Sequence, residues 1–169
     1  MIEHTDLTHI SQVGATFNST GDDDRKLDII PTLQSLLAND TYVLLFNGDA
    51  DYTCNWFGVE SVVDNLLHAP GFSDAGYANI STSDEKVNGV VKQADNFALL
   101  RIYYAGHQSP YYQPLLALEM FNRTIRGLDV ETGEKRVCVG GGYRSEGPGR
   151  SDFREGNETV VFGDDGDSG

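Results

Sequence analysis

The sequence of 169 residues is long enough for one domain with a hydrophobic core, and 26 acidic against 12 basic residues give a net charge of −14. This charge excludes nucleic acid as a partner, because the phosphate backbone would repel the protein. No apolar run approaches the roughly 20 residues of a membrane-spanning helix, so we predict a soluble protein without a membrane partner.

The N-terminal segment MIEHTDLTHISQ has neither the basic nor the apolar region of a signal peptide. Five Asn-x-Ser/Thr sequons nevertheless predict N-glycosylation and passage through the secretory route. The five asparagines are Asn18, Asn39, Asn79, Asn122 and Asn157. The two observations agree if this chain lacks its natural beginning, and that is what we expect.

The first predicted elements are a helix, a strand and a second helix. Residues Pro31–Ala38 predict a short helix with proline in its first turn. The continuous apolar run Tyr42–Phe46 predicts a central parallel strand that is covered on both faces. Asn55 can cap the next helix, in which apolar residues recur at helical spacing. That stripe contains Trp56, Val59, Val63, Leu66 and Leu67, and it predicts packing against the core.

The next elements are three strands and a helix. Residues Tyr77–Ile80 and Gly89–Lys92 predict two short strands, which we interpret as a hairpin. Residues Phe97–Tyr104 are rich in β-branched and aromatic side chains and predict a second strong strand. A helix is predicted from about Pro114 to Arg126, with Gly127 as its stop. One face of that helix carries Leu115, Leu118, Phe121 and Ile125.

The composition changes after residue 127. Residues 128–169 are rich in glycine and charge and poor in apolar side chains, which predicts a largely irregular extension without a core of its own. Residues 1–127 alternate strands with helices and therefore predict an α/β sheet. Such sheets place their chemistry beyond the carboxyl ends of the strands.

Three ionisable side chains follow predicted strands. Asp49 and Asp51 come just after the first strong strand, and His107 follows the second. A carboxylate and then a histidine are the second and third members of an α/β-hydrolase triad, in which the acid accepts the ring N–H of the histidine. The residue types alone leave turn and loop roles open for all three.

Two motifs, NGDADYTCNW and AGHQSPYYQP, resemble the C-terminal part of fungal serine carboxypeptidases. The similarity continues through TGDDDRKLDIIPTLQSLLANDTYVLLF and through YYQPLLALEMFNRTIRGLD. The resemblance implies an incomplete α/β-hydrolase fold that holds the last strands and helices of the sheet. It also implies a serine peptidase that releases C-terminal amino acids through an acyl-enzyme and uses neither a cofactor nor a metal.

The resemblance also implies roles for individual residues. The family pattern Gly-Asp-x-Asp-x-x-Cys-Asn matches residues 48–55 and makes Asp51 the triad acid, with Asp49 a structural residue of the loop. The pattern Gly-His-x-x-Pro makes His107 the triad histidine. The resemblance favours a free Cys54 over a disulfide with Cys138, which the sequence alone leaves open. Substrate contacts are implied for Cys54, Asn55 and Gln108.

The nucleophile of the family is the serine of Gly-Glu-Ser-Tyr-Gly, upstream of the acid. None of Ser11, Ser19 and Ser35 stands in such a motif, and GFSDAG at residues 71–76 is one residue too long. We therefore expect this chain alone to be inactive. We also expect it to self-associate through an uncovered strand edge and apolar face. The full-length protein is expected to be secreted or vacuolar and to act on peptides with a free C-terminus.

Two other functions remain open. Asp49-Ala-Asp51-Tyr-Thr53 fits the Asp-x-Asp-x-Thr loop of magnesium-dependent haloacid-dehalogenase-type phosphatases, although that loop normally starts directly at the strand end. The chain could equally be a secreted fragment that binds a partner without catalysis. Within the serine carboxypeptidase family, acyltransferases share the triad and are not separated from peptidases by these residues.

Overall fold

The computed structural model describes residues 29–64 and 71–149. They form four helices: α1 (Ile29–Ala38), α2 (Trp56–Asp64), α3 (Ser109–Tyr112) and α4 (Pro114–Ile125). They also form four strands: β1 (Val43–Gly48), β2 (Tyr77–Ser81), β3 (Val87–Ala94) and β4 (Phe97–Ile102). None of the helices in these two ranges has the length and apolar character needed to cross a membrane.

The four strands form one mixed sheet in the order β1-β4-β3-β2. β1 runs parallel to β4, while β2 and β3 form the predicted antiparallel hairpin. The register pairs Val43 with Phe97 and Gly48 with Ile102, so β1 and β4 reach their carboxyl ends together. The sequence prediction of the α/β class is therefore confirmed, with a mixed sheet.

Buried apolar clusters cover both faces of the sheet. Side chains alternate between the two faces along β4, so this strand contributes to both clusters. Phe97 and Leu99 belong to one buried cluster, which includes Leu33 and Leu37 of α1. The opposite cluster joins the remaining apolar side chains of β4 to α4. Its members from these two elements are Ala98, Leu100, Ile102, Leu116 and Met120. The two clusters make a three-layer arrangement of helix, sheet and helix.

The predicted central position of β1 is not what the structure shows. Within the described residues β1 lies at the edge of the sheet, and Phe46 is exposed. The central position belongs to β4, which pairs on both sides. β4 ends at Ile102, two residues earlier than predicted, because Tyr104 adopts a φ of 55°, a left-handed conformation that cannot continue a strand.

Helix α4 ends where the sequence predicts. Gly127 follows it with a φ of 64°, and the Leu128 N–H donates to the Arg123 carbonyl at 2.9 Å, as in a Schellman motif. The four apolar side chains predicted to share a face are all exposed, however. The helix buries Leu116 and Met120 instead, on its opposite side. We call the exposed residues Leu115, Leu118, Phe121 and Ile125 the α4 apolar face.

Residues 128–149 form no helix and no strand of the sheet, but they are anchored to the sheet. Val130 is fully buried in the core beneath α4, and its N–H donates to Oε1 of the buried Gln93 at 2.8 Å. Gln93 also donates to the Tyr42 hydroxyl at 2.9 Å. The Ser145 hydroxyl accepts the Gln93 N–H at 2.8 Å and donates to the Gly76 carbonyl at 2.6 Å. The proposed boundary at residue 127 stays a prediction.

Candidate active site

The site begins where β1 and β4 end side by side. A Cβ atom on Gly48 would lie 2.1 Å from the Ala105 carbonyl oxygen, so only glycine permits this approach of the two backbones. The Asp49 N–H donates to the Ile102 carbonyl at 2.8 Å, and the Ala50 N–H donates to the Ala105 carbonyl at 3.0 Å. These bonds fix the loop after β1 against the loop after β4.

The Asp51 carboxylate is buried and strongly hydrogen-bonded. Its Oδ1 atom accepts the N–H groups of Thr53 at 2.9 Å and Cys54 at 3.0 Å. Burial alone would raise the pKa of Asp51. The hydrogen bonds from Cys54, His107 and Thr53 outweigh that effect and hold the pKa below its ordinary value. Asp51 is therefore ionised at neutral pH.

The second carboxylate oxygen of Asp51 binds the imidazole of His107. The Oδ2 atom lies 2.9 Å from Nδ1 of His107. Because an ionised carboxylate can only accept, Nδ1 carries the proton and Nε2 is the ring nitrogen that remains for proton transfer. The acid side chain is 6% exposed and the histidine 66%, so the pair combines a fixed acid with an accessible base.

The loop that carries His107 is held by two side-chain hydrogen bonds to backbone carbonyls. The buried Ser109 hydroxyl donates to the Gly106 carbonyl at 3.1 Å. The Gln113 side chain donates to the Tyr103 carbonyl at 2.9 Å. A serine three residues after a glycine and just before Pro110 is a local turn signal that could have indicated the first contact.

The three residues with implied substrate contacts lie on the same two loops. Cys54 is an exposed free thiol, and Cys138 is free as well. The Asn55 side chain accepts the Gly58 N–H at 2.9 Å, so its predicted role as the cap of α2 is confirmed. Gln108 is exposed directly after His107. Substrate binding by Cys54, Asn55 and Gln108 stays a prediction.

Asp49 differs from Asp51 in its contacts and in the direction of its pKa shift. Its Oδ1 atom faces the Ala105 N–H at 3.4 Å, and burial raises its pKa despite that contact and the nearby charge of Arg101. In the phosphatase hypothesis Asp49 is the phosphoryl-accepting nucleophile and works with a magnesium ion. Across residues 29–64 and 71–149, the cluster of potential metal ligands at this site does not include Asp49. The geometry therefore does not favour a phosphatase.

The sequons differ in exposure. Asn39 and Asn79 are exposed, and Asn122 is half-buried on α4. Asn18 and Asn157 lie outside the described residues. Glycosylation stays a prediction at all five positions.

Comparisons with known proteins point to one family. A sequence model of the serine carboxypeptidase family matches residues 7–127. The chain is 39% identical over 145 residues to carboxypeptidase S1 homolog B of Arthroderma otae, covering 82% of this chain and 22% of that protein. It is 36% identical over 157 residues to carboxypeptidase S1 homolog A of Arthroderma benhamiae, covering 90% and 24%. It is 40% identical over 114 residues to carboxypeptidase S1 of Penicillium janthinellum, covering 65% and 26%. The chain thus spans about a quarter of these relatives.

Proposed function

Because this chain belongs to the serine carboxypeptidase family, we propose that Asp51 and His107 are the acid and the histidine of a peptidase site that removes C-terminal amino acids. The observation that carries the proposal is the 2.9 Å contact between Oδ2 of Asp51 and Nδ1 of His107. The contact lies at the carboxyl ends of two parallel neighbouring strands, where α/β proteins place their chemistry.

In this mechanism His107 moves protons and Asp51 holds it in place. A serine hydroxyl attacks the carbonyl carbon of the last peptide bond, and Nε2 of His107 takes the hydroxyl proton. The proton then passes to the amine of the departing amino acid. Water attacks the acyl-enzyme in the second half, with Nε2 again as the base. Asp51 stabilises the imidazolium in both halves through its bond to Nδ1.

The chain contributes the acid and the histidine to this mechanism. No serine among the 169 residues stands in Gly-Glu-Ser-Tyr-Gly, so we propose that the chain has no peptidase activity alone. The sheet would be the C-terminal part of an α/β-hydrolase fold. We further propose peptide substrates with a free C-terminus and a secreted or vacuolar glycoprotein. The sequons and the fungal carboxypeptidase relatives support that setting.

A chimera tests the function directly. In Penicillium janthinellum carboxypeptidase S1, the segment that aligns with this chain is replaced by the residues of this chain. We expect the chimera to hydrolyse an N-blocked dipeptide and to react with a serine-directed organophosphate. The substitution His107→Gln should lower kcat by about 10⁴-fold or more, because the general base is lost.

His68→Gln is the matched control. It makes the same substitution at another histidine within residues 7–127, which the family model matches. It should leave kcat within about twofold, because the proposed proton transfer does not use His68. A folded chimera that neither hydrolyses the peptide nor reacts with the organophosphate would contradict the proposal. Organophosphate labelling of this chain alone would reveal a nucleophile and contradict its inactivity. Magnesium-dependent hydrolysis of a phosphomonoester by the chain would favour the phosphatase hypothesis instead.

A further inference from the structure

The site holds one more reactive group than proton transfer requires. Ligand atoms of Asp51, Cys54 and His107 all lie within 4.8 Å of one another. They are a carboxylate oxygen, a thiol sulfur and a ring nitrogen, three different metal donors. In the part of the chain that the structure describes, this is the one cluster of three such side chains. Proton transfer between Asp51 and His107 does not involve the sulfur of Cys54.

We propose that Asp51, Cys54 and His107 bind a zinc ion, with a fourth position open to water. Zinc accepts thiolate sulfur, imidazole nitrogen and carboxylate oxygen, and three protein ligands with one water is a common zinc arrangement. Magnesium and calcium prefer sites made of oxygen alone, which this cluster is not. The donor set therefore selects zinc over the hard cations.

The distances fit a modest rearrangement. Tetrahedral zinc, with bonds of about 2.0–2.3 Å, holds its donor atoms roughly 3.3–3.7 Å apart. The Asp51 and His107 donors, now at 2.9 Å, would separate by a few tenths of an ångström. The Cys54 sulfur starts within 4.8 Å of one carboxylate oxygen of Asp51 and one ring nitrogen of His107, and the Cys54 and His107 side chains are exposed enough to move.

Backbone hydrogen bonds hold the Asp51 carboxylate in place, so it would be the fixed ligand of the zinc ion. Its Oδ1 atom is occupied by the N–H groups of Thr53 and Cys54, which leaves Oδ2 for the metal. Backbone hydrogen bonds of this kind orient a ligating carboxylate. Zinc would take the position of the proton between Oδ2 and Nδ1. The imidazole proton then sits on Nε2, and the thiol proton of Cys54 goes to solvent.

Zinc binding and proton transfer therefore exclude each other at His107. Binding itself is a property of this chain and holds whether or not the proposed peptidase function is correct. Inhibition by zinc rests on that function, since Nδ1 of His107 cannot bind zinc and donate to Asp51 at once. A chimera without activity but with zinc bound by this chain would reject the function and keep the zinc site.

Isothermal titration of the whole chain with Zn²⁺ alone is the primary test. We expect one zinc ion that depends on the cluster. Cys54→Ser and His107→Ala should each weaken binding by at least about tenfold, because one of three protein ligands is lost. Cys138→Ser is the matched control, since it removes the other exposed free thiol, and it should leave the affinity unchanged.

Alkylation of the unmodified chain gives a second readout that needs no variant to fold. Iodoacetamide should modify Cys54 several times more slowly when Zn²⁺ is present, while the rate at Cys138 stays constant. Peptide mass spectrometry measures both rates in one sample. Absence of zinc binding, binding that survives Cys54→Ser, or equal protection of the two cysteines would overturn the proposal.

Discussion

The Oδ2 atom of Asp51 lies 2.9 Å from Nδ1 of His107, although the two residues are 56 positions apart in the chain. The parallel register of β1 and β4 brings them together, since Gly48 and Ile102 are paired at the strand ends. The acid is then fixed by backbone N–H groups and the histidine by the acid. The pair is therefore a property of the sheet as well as of its two loops.

The contact predicts unequal effects of the same substitution at two neighbouring acids. In the chimera, Asp51→Asn should lower kcat/KM by about 10³–10⁴-fold, because the amide cannot hold the imidazole in the required tautomer. Asp49→Asn should cost less than about tenfold, since its oxygen can still accept the Ala105 N–H. Steady-state kinetics at neutral pH measures both. Equal losses at the two positions would show that Asp51 acts only as a loop residue.

The close approach at Gly48 predicts strong selectivity for glycine. Gly48→Ala should destabilise the chain by about 3 kcal/mol, because its Cβ would overlap backbone oxygens of Ala105 and Gly106 that cannot rotate away. Gly58→Ala, in α2, is the control. A Cβ atom there would lie 3.6 Å from Oδ1 of Asn55, an ordinary contact, so the substitution should be neutral or stabilise by up to about 1 kcal/mol. Urea denaturation compares them. A Gly48→Ala protein as stable as the parent would contradict the described strand ends.

The α4 apolar face predicts self-association of the chain. Leu118 and Phe121 are 57% and 59% exposed, and burying each large apolar side chain contributes about 1.5–3 kcal/mol. The double variant Leu118→Gln with Phe121→Gln should weaken association by more than about tenfold. Analytical ultracentrifugation gives the constant. Val87→Gln with Val139→Gln is the matched control, since it changes two exposed apolar residues elsewhere. Equal effects of the two pairs would argue against this face.

Asp129 predicts a pH-dependent contribution to stability. Its carboxylate accepts the N–H groups of Thr132 at 2.6 Å, Gly133 at 3.2 Å and Lys135 at 2.7 Å. Burial alone would raise its pKa, but the hydrogen bonds, led by that from Thr132, outweigh burial and lower the pKa below 3.8. The stabilisation is therefore fully present above pH 3.8 and is lost as the pH falls through the lowered value.

Asp129→Ala should thus lower the free energy of unfolding by about 2–3 kcal/mol at pH 7, since three backbone donors lose a charged partner. The difference from the parent should shrink in strong acid. Urea denaturation at pH 7 and in strong acid measures this difference. Asp84→Ala removes an exposed carboxylate that pairs with Lys86 at the surface, and it should change stability far less than Asp129→Ala does. A stability difference between the parent and Asp129→Ala that grows toward low pH would contradict the prediction.

Exposure predicts which sequons carry glycans. Asn39 follows α1 and Asn79 points outward from β2, and both are exposed, whereas Asn122 is half-buried. Expression of the chain with a secretion signal should give glycans at Asn39 and Asn79 and much less at Asn122. Enzymatic deglycosylation, which converts each modified asparagine to aspartate, locates them by mass. Full occupancy at Asn122 with empty Asn39 and Asn79 would show that exposure does not decide.

The sequence predicts those features of the fold that depend on residues close together in the chain. The hairpin, the Gly127 stop and the Asn55 cap follow from turn residues and side-chain chemistry, and the positions of Asp51 and His107 follow from strand ends. Among the described residues β1 lies at the sheet edge, which the sequence does not indicate because Tyr42–Phe46 is as apolar as a central strand. The exposure of the α4 apolar face depends on which side of the helix meets the sheet. Gln93 gave no signal, because its partner Val130 is distant in sequence.

The parallel pairing of β1 with β4 has a consequence for folding order. β2, β3 and β4 are joined by short connections and can pair soon after they are made, whereas β1 must close a far longer loop to reach β4. Closing long loops is slow because the lost chain entropy comes before any contact is gained. The carboxylate and the imidazole should thus meet in a late step, after the hairpin has formed.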